Sequence, residues 1–329
     1  MGEAVKGIAT SLAERGHDVT VLMPSHGLRG VRSTNLGAFT CYKVSLGRAE
    51  VRLVSNPTLD NPSVYADGLI EAKAAALARA ARAFAEIEGP PDVIHANDWH
   101  SVPAALSALS VEPSSAFVFH IHLYLGRWVS WEYLFRDCGL NSRSVLRGVS
   151  FGEAYERAGG VVEAIAAQLA DRVVTVSRSY MEEVLKPTIG WAAGDRLTYA
   201  YNGTDWSFEK LVEEAMHHHN IRAPSDVKCD RRGLRGYLLT EALPLARPRV
   251  GDPELAWAAQ GLQPFPSDGP LVLATGRASW QKGFDVLLRA ADIVASVVPN
   301  VRFLLLLLPV RGEEGHLSWL VREAERRPY

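Results

Sequence analysis

The feature that most constrains the fold of this chain is a regular alternation of short apolar segments with helical segments. Three apolar runs, at residues 92–95, 116–122 and 172–177, are separated by stretches whose apolar residues recur at helical spacing. Strands that alternate with helices are typical of parallel sheets with helices on their faces. The sequence therefore predicts an α/β protein built on a doubly wound, Rossmann-like sheet.

The pattern of strands and helices divides the chain into three parts. Residues 1–208 carry the first Rossmann-like domain, and residues 209–268 are a proline-rich, variable linker segment in which the alternation weakens. Residues 269–329 begin a second Rossmann-like domain, with apolar strands at 270–276 and 301–308 and a helix after each. A chain of 329 residues is long enough for two domains.

Both domains lack parts that a doubly wound sheet needs. The first domain starts with a helical pattern at residues 4–15, although the first strand of such a sheet is normally central. The second domain shows only two strands, too few to bury its own apolar faces. We therefore expect a chain truncated at both ends, with the second domain incomplete.

Composition excludes several classes of protein and partner. Lys and Arg total 35 and Asp and Glu total 37, interspersed along the chain, which argues against a nucleic-acid partner. The longest apolar run, at residues 303–310, is too short to cross a bilayer, and the N-terminus has no signal-peptide pattern. Three cysteines far apart in the sequence indicate a reducing compartment. We expect a cytoplasmic protein with no membrane partner.

Polar clusters follow several of the predicted strands of the first domain. The strand at 92–95 runs into Asn97-Asp98-Trp99-His100, a later strand ends at His122, and Asn202 follows the last strand. Ligands of Rossmann-like folds bind beyond the carboxyl ends of the strands. Imidazole, carboxamide and indole groups at that edge suit a polyhydroxylated ligand, although any one cluster also fits a structural turn.

The second domain has a glycine turn with two cations after its first strand. Residues 276–283 read GRASWQKG, which places Arg277 and Lys282 five residues apart just before a helix. Cations beside a helix N-terminus can bind a diphosphate and stabilise charge on a leaving phosphate. On spacing alone, two solvated charges beside a turn explain the motif equally well.

Six segments together resemble the glycogen/starch synthase family of glycosyltransferases, most closely its short archaeal members. They read GEAVKGIATSLAERGHDVTVLMPSHG, PDVIHANDWH, FVFHIH, VVTVSRSYMEEV, YNGTD and GRASWQKGFDVLLRA, over most of residues 2–205 and 270–308. The GRxxxQKG pattern is shared by many glycosyltransferases, whereas DWH with NGxD is more specific to glucan synthases. The resemblance implies the glycosyltransferase-B fold of two Rossmann-like domains.

The resemblance also implies a reaction and a set of site residues. The reaction is retaining transfer of glucose from ADP-glucose or UDP-glucose to the 4-hydroxyl of an α-1,4-glucan, with no cofactor and no metal. Arg277 and Lys282 would bind the donor diphosphate, and His122 would sit beside the transferred glucose. The remaining implied positions are Asp98 on the acceptor side, Asn97, Trp99 and His100 around it, and Asn202 facing the cleft.

The chain departs from the family pattern in three ways. Asn97 stands where the family often has histidine, and the family's glycine-rich loop before the first helix is absent. A paired-glutamate motif of the second domain would lie beyond Tyr329. We therefore expect little or no synthase activity from the isolated chain, and the preference between ADP-glucose and UDP-glucose stays open.

Other interpretations remain beside the enzyme. The chain could be a non-catalytic remnant, or one subunit of a split enzyme that needs a second chain to complete its C-terminal domain. It could also be another retaining glycosyltransferase of this fold, of the sucrose or trehalose type.

Two further features are assigned structural roles. His217-His218-His219 is interpreted as a solvated helix end, because adjacent helical residues point about 100° apart and cannot converge on a metal. The aromatic residues Tyr124, Trp128, Trp131 and Tyr133 are interpreted as packing rather than as a glucan-stacking surface.

Overall fold

The computed structural model describes residues 2–63, 68–203, 269–310 and 313–327, together with a few isolated residues between 207 and 239. The chain divides into two compact units, Met1–Asp205 and Trp206–Tyr329. Each unit combines parallel strands with helices, which confirms the predicted α/β class. The histidines at 217–219 lie outside the described residues.

The first unit contains ten strands and seven α-helices among its described residues. The predicted site residues 97–100 and 122 lie at the ends of strands β5 and β6. The strands are β1 Thr20–Pro24, β2 Val31–Asn35, β3 Thr40–Leu46, β4 Ala49–Ser55, β5 Val93–Asn97, β6 Ala116–Ile121, β7 Val145–Leu146, β8 Val149–Ser150, β9 Arg172–Thr175 and β10 Leu197–Tyr199. The helices are α1 Gly2–Glu14, α2 Leu69–Glu88, α3 Val102–Leu109, α4 Phe151–Ala158, α5 Val162–Leu169, α6 Arg178–Tyr180 and α7 Lys186–Ala193.

The strands of this unit form two four-stranded sheets and one two-stranded ribbon. The order β10-β9-β6-β5 is parallel throughout, as predicted for a Rossmann-like sheet. The order β1-β4-β3-β2 is mixed, because β3 pairs antiparallel with both β2 and β4. Strand β2 reads VRSTN, and its pairing with β3 has a register shift. The sequence of β2 has no clear period-two apolar pattern from which the strand could be predicted.

Helix α2 packs against both four-stranded sheets. Its Leu77 and Ala80 share a buried cluster with Val54 of β4, and its Ala78 shares another cluster with Ala96 of β5. The small alanine side chains of α2 allow it to approach α3 closely. Helix α2 also contacts β1 of the mixed sheet, and α3 contacts β5 of the parallel sheet. Among the described residues, β1 and β5 each pair with a single strand, so each keeps one open edge.

The parallel sheet separates an apolar face from a polar face by simple alternation along β6. Phe117, Phe119 and Ile121 are fully buried and pack with Leu106 of α3 and Ile165 of α5. Successive side chains of a strand point to opposite faces, so His120 lies on the other face of β6. The hydrophobic core thereby sets the side of the sheet on which the histidines project.

Among its described residues, the second unit has two parallel strands, and a long α-helix follows each of them. Strand β11 Leu271–Arg277 pairs along its length with β12 Arg302–Leu308, and helices α8 Phe284–Val297 and α9 Glu314–Glu325 follow them. Phe284, Leu288, Leu317 and Leu320 form the buried core. The described helices include none of the length and apolarity that crossing a membrane requires.

Candidate active site

Asp98 begins the turn after β5 in a strained backbone conformation. Its φ of 58° and ψ of 172° fall in a region that glycine alone adopts readily, at a cost of about 1–3 kcal/mol for other residues. The Asp98 amide donates to the carbonyl of His120 at 2.8 Å. Its carboxylate oxygen Oδ1 accepts from the amides of His122 at 2.7 Å and Leu123 at 3.1 Å. These contacts tie the end of β5 to the end of β6.

The side chain of Asp98 is therefore engaged with backbone rather than exposed. It is 8% exposed, and charge-assisted bonds to two amides are stronger than neutral ones. The sequence motif predicted Asp98 as an acceptor-side residue of the site. The structure places it at the expected edge of the sheet, with one carboxylate oxygen shaping the turn that carries His122.

His122 lies against two neighbours that orient its ring. Its Nε2 lies 3.0 Å from Oδ1 of Asn97, and its ring stacks on that of His120 at 4.3 Å between centroids. The parallel register places Asn97 beside His120, which explains why residues 25 apart in sequence meet here. An amide oxygen only accepts, so Nε2 carries the proton and Nδ1 is left as an acceptor.

The imidazoles of this edge are held in the uncharged form. Burial, together with the charges of His122 and His95, lowers the pKa of His120 to about 3. Burial also lowers the pKa of His122, although Asp98 opposes the shift, and the pKa values of His95 and His100 fall mainly for the same reason. At neutral pH these rings act through hydrogen bonds rather than through charge.

The stacked rings leave polar atoms unsatisfied. His95 stacks on His120 at 5.5 Å, and both ring nitrogens of His120 are buried with no hydrogen-bond partner among the described residues. The described part of the chain contains no group of three His, Cys, Asp or Glu side chains arranged to hold a metal ion. The three stacked histidines do not form such a metal-binding group, because the nitrogens of parallel rings do not converge on one point.

Trp99 and His100 follow Asp98 but differ in accessibility. Trp99 is buried, meets the His100 ring edge-on at 5.8 Å, and has the guanidinium of Arg127 over its ring at 5.1 Å. Arg127 also forms an ion pair with Glu71 of α2. Trp99 thus supports the turn from inside, whereas the half-buried His100 remains close enough to the edge to meet a ligand.

A buried carboxylate that the sequence analysis missed holds the loop after β6. Glu163 of α5 is fully buried, and its two oxygens accept from the amides of Leu125 at 3.1 Å and Arg127 at 2.8 Å. The available signal was a single charged residue in the mostly apolar helix VEAIAAQL. Glu163 fixes the loop that carries Arg127, whose guanidinium lies over the Trp99 ring.

The predicted aromatic cluster serves mainly as packing. Trp131 packs on Phe135 at 4.2 Å and on Tyr155 at 5.2 Å, and the hydroxyl of Tyr133 donates to the carbonyl of Glu71. Trp128 differs, because it is largely exposed. The packing interpretation is confirmed for Tyr124 and Tyr133, which pack partly buried against the core, whereas Trp131 is 38% exposed beside its aromatic neighbours.

Asn202 is not adjacent to the histidines. It is exposed in the segment after β10, and β9 lies between β10 and β6. Two strand spacings amount to about 10 Å. Asn202 therefore belongs to the same carboxyl edge of the sheet without contacting His122, and Thr204 and Asp205 of its motif lie outside the described residues.

Arg277 and Lys282 lie in the second unit, around the turn between β11 and α8. Arg277 ends β11, Lys282 ends the one-turn helix Trp280–Lys282, and Gly283 takes φ 67° just before α8. Both cations are exposed, and neither forms an ion pair with a described residue. Two unpaired cations at the start of a helix form a suitable anion-binding arrangement.

Known proteins resemble this chain in sequence and in fold. The family described as "Starch synthase catalytic domain" matches residues 1–198. Glycogen synthase of Rhodopseudomonas palustris is 33% identical over 215 residues, which cover 61% of this chain and 38% of that protein. Glycogen synthase 2 of Agrobacterium fabrum is 25% identical over 327 residues, covering 89% of this chain and 58% of that protein.

The matched proteins are considerably longer than this chain. The chain spans less than two thirds of the length of the curated relatives it matches. Among solved structures, the α,α-trehalose-phosphate synthase (UDP-forming) of Burkholderia vietnamiensis aligns with a TM-score of 0.53 at 14% identity, over 99% of this chain and 65% of that one. That likeness shows the glycosyltransferase-B fold. By its sequence match, the chain belongs to the glycogen/starch synthase family of glycosyltransferases.

Proposed function

We propose that the chain carries the site of a glucan-elongating glycosyltransferase. It would transfer glucose with retention from ADP-glucose or UDP-glucose to the 4-hydroxyl of an α-1,4-glucan. The observation that carries this proposal is the meeting of the DWH turn and His122 at one edge of the parallel sheet, through Asp98 and Asn97. Family membership supports the choice of donor and acceptor classes.

In the first unit, uncharged hydrogen-bonding groups would bind the sugar. His122 offers Nδ1 as an acceptor for a glucose hydroxyl, since its Nε2 is occupied by Asn97. His100 adds a second imidazole at the same edge, and Asp98 keeps the main chain of His122 in place. Neutral donors and acceptors match a polyhydroxylated ligand better than charges do.

In the second unit, Arg277 and Lys282 would bind the donor diphosphate. As the bond from the sugar to the phosphate breaks, negative charge grows on the leaving phosphate, and two fixed cations stabilise that charge. In this proposal the pair balances the charge that a metal ion balances in other phosphate chemistry, so the reaction uses no metal and no cofactor. The small number and wide spacing of the cysteines in the sequence support a cytoplasmic location in this proposal.

Donor binding and glucose transfer test the proposal separately. Calorimetry with ADP-glucose and UDP-glucose is expected to detect binding that Arg277→Ala and Lys282→Ala each weaken by about 10-fold or more. Arg289→Ala is the matched control, because Arg289 is an exposed cation of α8 already paired with Asp285 at 2.8 Å. Equal losses in all three variants, or no binding of either donor, would contradict the proposed donor site.

Transfer is measured as labelled glucose incorporated into glycogen by the isolated chain. Incorporation that depends on ADP-glucose or UDP-glucose would support the assignment. Absence of incorporation from either donor, together with absence of donor binding, would contradict it. Transfer to a sugar phosphate rather than to glucan would contradict the proposed acceptor and favour the trehalose-type alternative.

A further inference from the structure

His120 is the middle ring of a stack of three imidazoles on the polar face of the parallel sheet. The register places His95 of β5 level with Val118, so His120 stands between His95 and His122 along the sheet. The His120 ring lies 4.3 Å from that of His122, with an interplanar angle of 13°. It lies 5.5 Å from the ring of His95, with an angle of 5°. His120 has no assigned role in the proposed reaction.

The imidazole of His120 is unfavourable for the stability of the fold. His120 is 3% exposed, and neither Nδ1 nor Nε2 has a hydrogen-bond partner among the described residues. A buried polar atom without a partner destabilises the folded state, whereas an apolar group of the same shape avoids that penalty. Burial also lowers the pKa of His120 to about 3, so the ring contributes no charge at neutral pH. Neither stability nor charge therefore accounts for a histidine at this position.

The shape of the His120 ring does account for it, because His122 needs two constraints to keep one orientation. The contact of Nε2 with Oδ1 of Asn97 fixes a single point of the His122 ring. The torsion that turns a histidine ring has broad minima, so one hydrogen bond leaves the ring plane free to swing. A flat neighbour at 4.3 Å blocks that swing. Asn97 and His120 together thus fix the direction in which Nδ1 of His122 points.

The backbone of His120 is itself held firmly enough to serve as a support. Strand β6 pairs with β5 on one side and with β9 on the other, and His120 lies opposite Asn97 and Val174 in those pairs. Its carbonyl also accepts from the amide of Asp98 at 2.8 Å. The ring of His120 therefore projects from a central, fully paired position of the sheet.

We propose that His120 is a positioning residue, which fixes the plane of the His122 ring and so aims Nδ1 at a glucose hydroxyl. This inference rests on the proposed function, in which His122 binds the sugar, and adds a residue on which that contact depends. The role needs a flat ring rather than an imidazole, since the nitrogens of His120 have no partner in the described part of the chain. His120→Phe is therefore expected to keep the role, and His120→Leu to lose it.

NMR of the full chain without ligand tests the orientation of His122 directly. Relaxation of the His122 ring reports its motion on the picosecond to nanosecond timescale, and nitrogen-15 shifts report which nitrogen carries the proton. In His120→Leu the order parameter of the His122 ring is expected to fall, and the proton is expected to be shared between Nδ1 and Nε2. In His120→Phe the ring is expected to stay as rigid as in the wild type, with the proton on Nε2.

Calorimetry with ADP-glucose and ADP, and with UDP-glucose and UDP, isolates the contribution of the glucose to binding. His120→Leu is expected to weaken the nucleotide sugar roughly 2-fold to 10-fold, about the effect of one hydrogen bond. The affinity for the nucleotide alone is expected to stay unchanged. His120→Phe is expected to bind both ligands as the wild type does.

His95→Leu is the matched control, since it makes the same substitution in the same stack. The register places His95 on the far side of His120 from His122. His95→Leu is therefore expected to leave the His122 ring rigid and both affinities unchanged. An effect on His122 as large as that of His120→Leu would contradict a role that is specific to the neighbouring ring.

Thermal unfolding separates positioning from a merely structural role. Because His120→Leu removes two buried nitrogens without described partners, its Tm is expected to stay the same or to rise by about 2–4 °C. A lower Tm, with equal losses of affinity for the nucleotide and the nucleotide sugar, would make His120 a structural residue and overturn the inference. Equal losses of sugar affinity in His120→Phe and His120→Leu would overturn the flat-ring role.

The NMR and binding results separate this inference from the function on which it rests. If the His122 ring is equally rigid in the wild type and in His120→Leu, the positioning role is wrong and the proposed function stands. If the wild type binds the nucleotide sugars no more tightly than the nucleotides, the proposed sugar contact of His122 fails. A difference in ring motion between His120→Leu and His120→Phe would then still support His120 as the residue that orients His122.

Discussion

His122 is the residue whose chemistry depends most closely on a single neighbour. The oxygen of Asn97 can only accept, so it holds the proton of the imidazole on Nε2 and leaves Nδ1 available. An amide at this position, where the family often has histidine, keeps hydrogen bonding but cannot titrate. The structure adds that the amide contacts His122, which makes Asn97 a positioning residue in our proposal.

Replacing Asn97 by aspartate places a negative charge next to Nε2 of His122. Asn97→Asp is expected to raise the pKa of His122, because a carboxylate within hydrogen-bonding distance favours the protonated ring. The wild-type pKa is lowered mainly by burial, so the ring of the variant charges at higher pH than that of the wild type. NMR titration of the imidazole protons measures the shift.

Asn202→Asp is the control for that titration, since Asn202 is exposed and lies beyond β9 from the histidines. It adds the same charge to the same edge of the sheet and is expected to leave the pKa of His122 nearly unchanged. If the pKa of His122 is unchanged in Asn97→Asp, the direct contact and the tautomer that follows from it are refuted.

At the scale of elements, the site exists because two neighbouring strands are parallel and end together. The register that pairs Asn97 with His120 brings the turn at Asp98 to the turn at His122. Apolar patterning located β5 and β6 within about two residues and predicted that their polar ends share one edge. The patterning could not reveal the backbone strain at Asp98 or the role of Glu163, because both depend on amides 24 to 38 residues away.

The open edges of the sheets lead to an expected pattern of hydrogen exchange. Strand β6 has a hydrogen-bonded neighbour on each side, whereas β5 and β1 pair on one side only among the described residues. Amides of β6 are expected to exchange most slowly, and alternate amides of β5 and β1 much faster. Strand β4 is the matched control in the mixed sheet, since it lies between β1 and β3. Equal protection in β5 and β6 would show that the edge of β5 is covered.

At the scale of the whole molecule, each compact unit has a core built from its own strands and helices. Among the described residues, the core of the first unit is large and centres on the parallel sheet, and that of the second unit is small. Small cores leave little reserve of stability, because the fraction of the chain's surface that folding buries is lower in smaller domains. The second unit is therefore the more sensitive to a single cavity.

Leu288 of α8 provides a direct test of that sensitivity. Leu288→Ala removes a buried side chain from a cluster with Phe284, Leu317 and Leu320 and is expected to destabilise the unit by about 2–5 kcal/mol. Val286→Ala on the same helix is the control, because Val286 is 57% exposed and its loss is expected to be within about 0.5 kcal/mol of neutral. Exchange rates of β11 and β12 amides report both changes, and equal effects would contradict the assigned core.

The sequence by itself determined the α/β class, the order of the main parallel strands with the helices between them, and the segments whose polar residues follow strands. These properties depend on local periodicity and on short motifs, which involve only residues that are close together in the sequence. The split into two four-stranded sheets, the contact of Asn97 with His122 and the buried Glu163 were decided only by the tertiary structure. Each of them joins residues that are distant in sequence, and only packing of the core selects which distant partners meet.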